Sequence, residues 1–425
     1  MSTLLLLLVL SALLALGTSV AFAMGIAAVF GMWLTGDSLA AVPKVFFETF
    51  AIYELLAVPL FVLMSQILLV GKIGEHLFTV INTWVRHLPG GLGIATVLSC
   101  GFFSAISGSS VTTAATVGAT AIPAMLKRNY PKPFAFGMVA GGGTLGILIP
   151  PSIPFILYAA ITSESIAKLF LAGILPGIVI IFLFVVYILV LQFRTGLLPK
   201  EPRAPFRGSA AITFKHGGAV LLPGVVLGGI YLGILTPTEA AAAGVIYSLL
   251  LCIVGYRSLA WRDAMPILLS ALRISCMIMF IIASAMVLSR VLTTLQIAPQ
   301  IIEFFREHEV GKWSFIIAMN IIWLVMGTVM EVASIMLITL PIVFPIAVSL
   351  GIDPIWLAVI MVINMELATI SPPIGLNIFV LMGIMNEKDE AMVIRGVLPP
   401  FILVIIGLIL VMAFPGLATW LPSLH

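Results

Sequence analysis

Apolar residues follow one another in long unbroken runs along almost the whole chain, without period-two alternation. This pattern predicts helices and excludes a membrane β-barrel. The first runs predict two helices at 3–16 and 19–34, parted at Gly17-Thr18. Residues 39–50 and 71–88 mix apolar and charged positions at helical spacing, as does 300–312. Such segments lie along a membrane surface rather than across it. Spans are expected at 55–70, 166–193, 218–234, 238–255, 267–298 and 398–418, with a basic, proline-containing loop at 194–216.

Two stretches are too long for one span and are polar at their centres. Residues 88–126 carry no charge between their ends and hold Ser104, Ser107-Gly108-Ser109-Ser110 and Thr112-Thr113 in the middle. The stretch 313–352 holds a single charge, Glu331. Each predicts a re-entrant hairpin whose tip is sheltered by protein or water, because lipid cannot satisfy a bare turn. Each is followed by an apolar run interrupted by adjacent prolines, Pro150-Pro151 and Pro372-Pro373, which remove backbone donors and break a helix.

The halves correspond. The two proline pairs lie 222 residues apart, as do Pro123 and Pro345. Basic residues at 127–132, 194–216 and 257–262 are read as cytoplasmic, which puts the first hairpin's base inside and the second's outside. The N-terminus and His425 then lie outside. Inverted repeats with broken helices meeting at mid-membrane are a secondary-transporter plan. The expected fold is therefore an all-α polytopic membrane protein with inverted repeats, two re-entrant hairpins and two broken helices. Its divisions are 1–88 (scaffold and amphipathic arm), 89–165 (first hairpin and broken helix), 166–312 (connecting helices, second scaffold and arm), 313–390 (second hairpin and broken helix) and 391–425 (C-terminal helix).

Composition fits this class. Of 425 residues, 62% are hydrophobic and 9% charged, too few charges to cover a soluble surface. At 425 residues there is room for about ten spans. The net charge of +3 reads as cytoplasmic loop residues in contact with lipid, not as a nucleic-acid surface. The first apolar run has no basic flank and continues past Gly17, so it is read as a retained helix rather than a signal peptide.

The chain resembles the large membrane subunit (M subunit, DctM-like) of the tripartite ATP-independent periplasmic (TRAP) transporters along essentially its whole length. Four motifs carry the resemblance: Ser107-Gly108-Ser109-Ser110, the run from Gly142 through Pro150-Pro151-Ser152, Thr236-Pro237-Thr238-Glu239-Ala240, and Ser371-Pro372-Pro373-Ile374-Gly375. The resemblance implies a multi-pass protein of the bacterial inner membrane, an elevator-type carrier of the ion transporter superfamily, driven by sodium ions. It also implies two partners, a small membrane Q subunit and a periplasmic substrate-binding P subunit. Its substrates would be organic anions bearing a carboxylate, such as C4-dicarboxylates or sialic acids. Because the chain starts directly at the first M-like helix, a separate Q chain is expected.

The residues suggest where chemistry would lie. Hydroxyls and freed carbonyls are hard oxygen ligands. The candidates for sodium are Ser104, Ser107, Gly108, Gly146 and Pro150 in the first half, and Gly327, Thr328, Glu331, Ala368 and Pro372 in the second. The candidates for the substrate carboxylate are Ser109, Ser110, Ser152, Thr369, Ser371 and Asn377. For any one hydroxyl, a bond to a backbone carbonyl one turn back is the plainer role. Glu239 is either an intramembrane carboxylate with a function or the cap of a helix. The five histidines lie at segment ends or in loops, which argues against a membrane enzyme, and no phosphate-cradling loop with a following lysine occurs. A channel is the less favoured rival. A stand-alone sodium–carboxylate symporter is the alternative with the same internal plan.

Overall fold

The computed structural model describes residues 2–328, 330–371 and 375–424. Pro372 and the rest of that proline pair, proposed above as a helix break and ion site, lie outside the described residues, as does His425. Every regular element among the described residues is helical. The first half comprises α1 (Ser2–Ala15), α2 (Val20–Thr35), α3 (Ala41–Phe50), α4 (Ala57–Val70), α5 (Ile73–Val85), α6 (Gly91–Ser107), α7 (Ser110–Leu126), α8 (Lys132–Thr144), α9 (Ile153–Thr162) and α10 (Ile166–Thr195). There follow α11 (Phe206–His216), α12 (Gly218–Tyr231), α13 (Pro237–Leu250), α14 (Ala264–Thr294), α15 (Ile297–Glu307), α16 (Lys312–Gly327), α17 (Val332–Ser349), α18 (Pro354–Ile370), α19 (Leu376–Met385) and α20 (Glu390–Ala413). The elements α16–α20 follow the order of α6–α10.

Local sequence sets many of the boundaries. Gly108, with φ of 61°, ends α6 in the left-handed region, where a Cβ would be strained. Ser109 then caps α7 by accepting the Thr112 amide. Asp353 caps α18 ahead of Pro354, and Asp389 caps α20. Thr236 and Glu239 form a reciprocal capping box at the start of α13, which settles the role of Glu239. The segments that mix apolar and charged positions become α3, α5 and α15. In α5, Ile73, Leu77, Phe78 and Ile81 are buried while Glu75 and Thr79 face out.

Six helices among the described residues are long and apolar enough to span a bilayer, fewer than the ten or so expected from chain length. The difference lies in the many shorter apolar helices, of 10–17 residues, on either side of the tight turns and breaks. The segment 194–216, expected as a loop, is helical from Phe206 onward. It is docked on α5 by Trp84 Nε1 donating to Thr213 Oγ1 at 2.8 Å and by His76 and His216, whose Nδ1 atoms lie 2.7 Å apart. Contacts with α5 rather than the local pattern hold it, which is why hydropathy alone did not reveal it.

Two groups of helices pack together. In one, α4 and α2 pack on α14, and α13 packs on α4. In the other, α6–α10 pack with α17–α20. The tightest crossing is between α8 and α20. A Cβ on Gly137 would lie 1.9 Å from the Gly396 carbonyl oxygen, and one on Gly396 would lie 2.0 Å from that of Pro133. The second group is clipped at two places: Lys132 pairs with Glu387, and Tyr158 Oη donates to the Pro354 carbonyl at 2.7 Å.

Candidate functional site

The turn between α6 and α7 sits in the break between α8 and α9. A Cβ on Gly146 would lie 2.5 Å from the Ser109 carbonyl oxygen, and one on Gly108 would lie 2.8 Å from that of Pro151. Only glycine allows the two backbones so close. The second half has a related contact, where a Cβ on Gly327 would lie 2.0 Å from the Ala368 Cβ. The first turn therefore rests in the helix break of its own half, and in the second half α16 packs closely on α18 near the ends of both.

Between the two turns lies a cavity. Its floor is formed by Ser107, Gly108, Ser109 and Ser110 from the first turn, with Glu331 and Thr369 from the second half. The starts of α7 and α17 both border it, so the positive ends of two helix dipoles lie beside it. Across from them, α4 and α14 close the space with Ser65, Gln66, Ile274 and Met277. The sequence reading missed Ser65 and Gln66. The signal was present, since they are the polar pair in an otherwise apolar helix.

Of the sequence-derived candidates, Ser107, Gly108, Ser109, Ser110, Glu331 and Thr369 border this cavity. Gly146, Gly327 and Ala368 do not line it: Gly146 seats the first turn, and Gly327 and Ala368 meet where α16 packs on α18. Several hydroxyls have backbone partners: Ser104 donates to Cys100 O at 2.5 Å, Thr328 to Val325 O at 2.8 Å, and Ser152 to Ile147 O. Pro150 and Ser371 are buried beside the breaks. Asn377 is fully buried behind the cavity wall rather than on it. Its Nδ2 donates to Ser110 Oγ at 2.7 Å, to Ala140 O at 3.3 Å and to Thr369 Oγ1 at 3.4 Å. It is a strut joining the two halves. Glu366 is also fully enclosed, and neither carboxyl oxygen has a hydrogen-bond partner among the described residues.

The strut makes a stability prediction. Asn377→Leu leaves the buried Ser110 and Thr369 hydroxyls without their shared donor, a change that costs about 1–3 kcal/mol. The thermal unfolding midpoint of the purified protein in detergent should fall. An unchanged midpoint would show that the bridge between halves carries no weight.

Comparison with known proteins bears on what this architecture serves. A family model described as "Tripartite ATP-independent periplasmic transporter, DctM component" matches residues 7–417. The C4-dicarboxylate TRAP transporter large permease protein DctM of Pseudomonas aeruginosa is 42% identical over 91% of this chain and 90% of its own length. The Vibrio cholerae protein of the same name is 37% identical over 96% and 94%. The 2,3-diketo-L-gulonate TRAP transporter large permease protein YiaN of Escherichia coli is 33% identical over 85% and 84%. Among solved structures, the Alcanivorax borkumensis YdaH transporter superposes with a TM-score of 0.60 over 89% of both chains at 16% identity, a likeness of fold. These relatives are transporter permease components and not enzymes. By family match over nearly its full length, this integral membrane protein belongs to the DctM-component family of the tripartite ATP-independent periplasmic transporters, as a large permease subunit.

Proposed function

We propose that the chain takes up an organic acid bearing a carboxylate, such as a C4-dicarboxylate or a sialic acid, across the bacterial inner membrane, driven by an inward sodium gradient. It works with a small membrane subunit and a periplasmic substrate-binding protein. The observation that carries this reading is the cavity bounded by both turns. Ser109, Ser110 and Thr369 offer hydroxyls to a carboxylate, and the helix N-termini beside them favour negative charge.

Sodium fits the remaining donors. Ser107 and Gly108, with Ser104, Gly146 and Pro150 behind them, form an oxygen-rich region at the first turn. Gly327, Thr328, Glu331 and Ala368 form its counterpart. A serine or threonine that donates its hydrogen to a backbone carbonyl keeps its lone pairs for a cation. Ser371, Ser152 and Asn377 then support the site from behind.

Movement follows an elevator. The order of α16–α20 repeats that of α6–α10, and Lys132–Glu387 and Tyr158–Pro354 clip the starts of α8 and α18 to the ends of α19 and α9. That is the contact pattern of antiparallel, inverted copies forming one body, which would slide against α2, α4, α13 and α14.

Reconstitution in proteoliposomes with both partners tests the reading. Uptake should require a sodium gradient, persist without ATP and fall to background under a proton gradient alone. Full uptake with protons and none with sodium would overturn the choice of ion.

A further inference from the structure

The wall opposite the turns carries two polar groups that the carboxylate site does not use. In α4, Ser65 and Gln66 stand among Ala, Val, Pro, Leu, Phe, Met and Ile alone. They are 4% and 9% exposed, both border the cavity, and neither has a hydrogen-bond partner among the described residues. Ser99, Thr116, Ser248 and Ser284 are likewise buried without a hydrogen-bond partner, but none of them borders this cavity. Thr49, Thr96 and Ser104 each donate to the carbonyl one turn back, at 2.5–2.8 Å. Ser65 does not. A glutamine amide has two donors and an acceptor to satisfy, and leaving them unmet inside a membrane protein is costly.

Charge around the cavity narrows what meets them. Among the described residues that border it there is no lysine or arginine, and the one carboxylate, Glu331, lies on the side of the turns. The first carboxylate is already held on that side by Ser109, Ser110 and Thr369, so a second acidic group at the far end of the substrate faces α4, where neutral donors are available to take it. The geometry points to Ser65 and Gln66 as the subsite for the distal hydrogen-bond-accepting group of the transported acid. They select acids with a second carboxylate over plain monocarboxylates. This rests on the reading of the cavity as the organic-acid site. Because α4 packs with α13 and α14 rather than within the clipped group, the contact exists only while the turns face α4.

The test uses the whole complex with its partners in proteoliposomes, with Cys276→Ser removing the exposed native thiol. In Met277→Cys, a cavity-lining thiol on the same wall as the subsite, saturating succinate with sodium should slow alkylation by N-ethylmaleimide about tenfold, and adding Gln66→Leu should remove that protection. Butyrate should protect little, and Val70→Cys, away from the cavity, should be unaffected. In parallel, Gln66→Leu should lower succinate uptake about tenfold or more at an equal amount of protein in the membrane, with Gln66→Asn recovering part of it. Equal alkylation with and without succinate, where the unsubstituted complex takes up succinate, overturns the subsite. So does undiminished uptake by Gln66→Leu. An unsubstituted complex that takes up no organic acid overturns the transport reading and the subsite with it.

Discussion

Gly146→Val should abolish uptake while leaving the chain inserted in the membrane. Even the first added carbon would sit 2.5 Å from the Ser109 carbonyl oxygen and 2.7 Å from the Ser110 amide nitrogen. Both neighbours are backbone, so neither can rotate away. The turn between α6 and α7 must lift off the break between α8 and α9. Overpacking of this kind costs about 1–3 kcal/mol, within what a folded protein tolerates. The proposed site is less forgiving, since Ser107 to Ser110 all move with the turn, and a displacement of about 1 Å can cost on the order of 100-fold in rate. Proteoliposome uptake, normalised to protein recovered in the vesicles, measures it. Uptake near that of the unsubstituted chain would show that the turn yields and that its seat is not critical.

Gly396→Val should fail earlier, at folding. The α8–α20 crossing brings backbone against backbone, with Gly396 against Pro133 and Gly137 against Gly396. Small residues are what allow membrane helices to approach so closely. A branched side chain there forces the two helices apart along the crossing, where Gly141 also meets Pro400. The packing lost is spread over the tightest contact in the clipped group. Little protein should accumulate, and what does should elute as aggregate after detergent extraction. A normal yield with an unchanged unfolding midpoint would sink this argument.

What the sequence disclosed and what it hid divide along a physical line. The first turn was legible, because Gly108-Ser109 carries its backbone demand within two residues, while the Thr236–Glu239 cap was one of two open readings and the Asp353 cap was not read. The amphipathic helical pattern of α5 and α15 was legible from the spacing of their apolar residues. Partnerships across hundreds of residues were not. The sequence reading grouped Asn377 with Ser110 and Thr369 as substrate candidates, but not as a hydrogen-bonded bridge between them, and α4 alone does not say that Ser65 and Gln66 border the cavity. Gly137 and Gly396 were two glycines among 37 until the helices were seen to cross. The helix α11 was missed for the same reason, since its hold is the pairing of His216 and Thr213 with α5.

The strut between halves also has a history in time. Ser110 and Asn377 are 267 residues apart. At ribosomal rates of ~5–20 residues per second, the serine is made roughly 13–50 s before the asparagine that will hold it. Through that interval the first turn, with its serines and threonines, has no second half to lean on. It must wait in water or beside the insertion machinery rather than in lipid. A ribosome stalled after α10 would leave the first turn seated in the α8–α9 break but without the Asn377 donor that ties Ser110 to the second half.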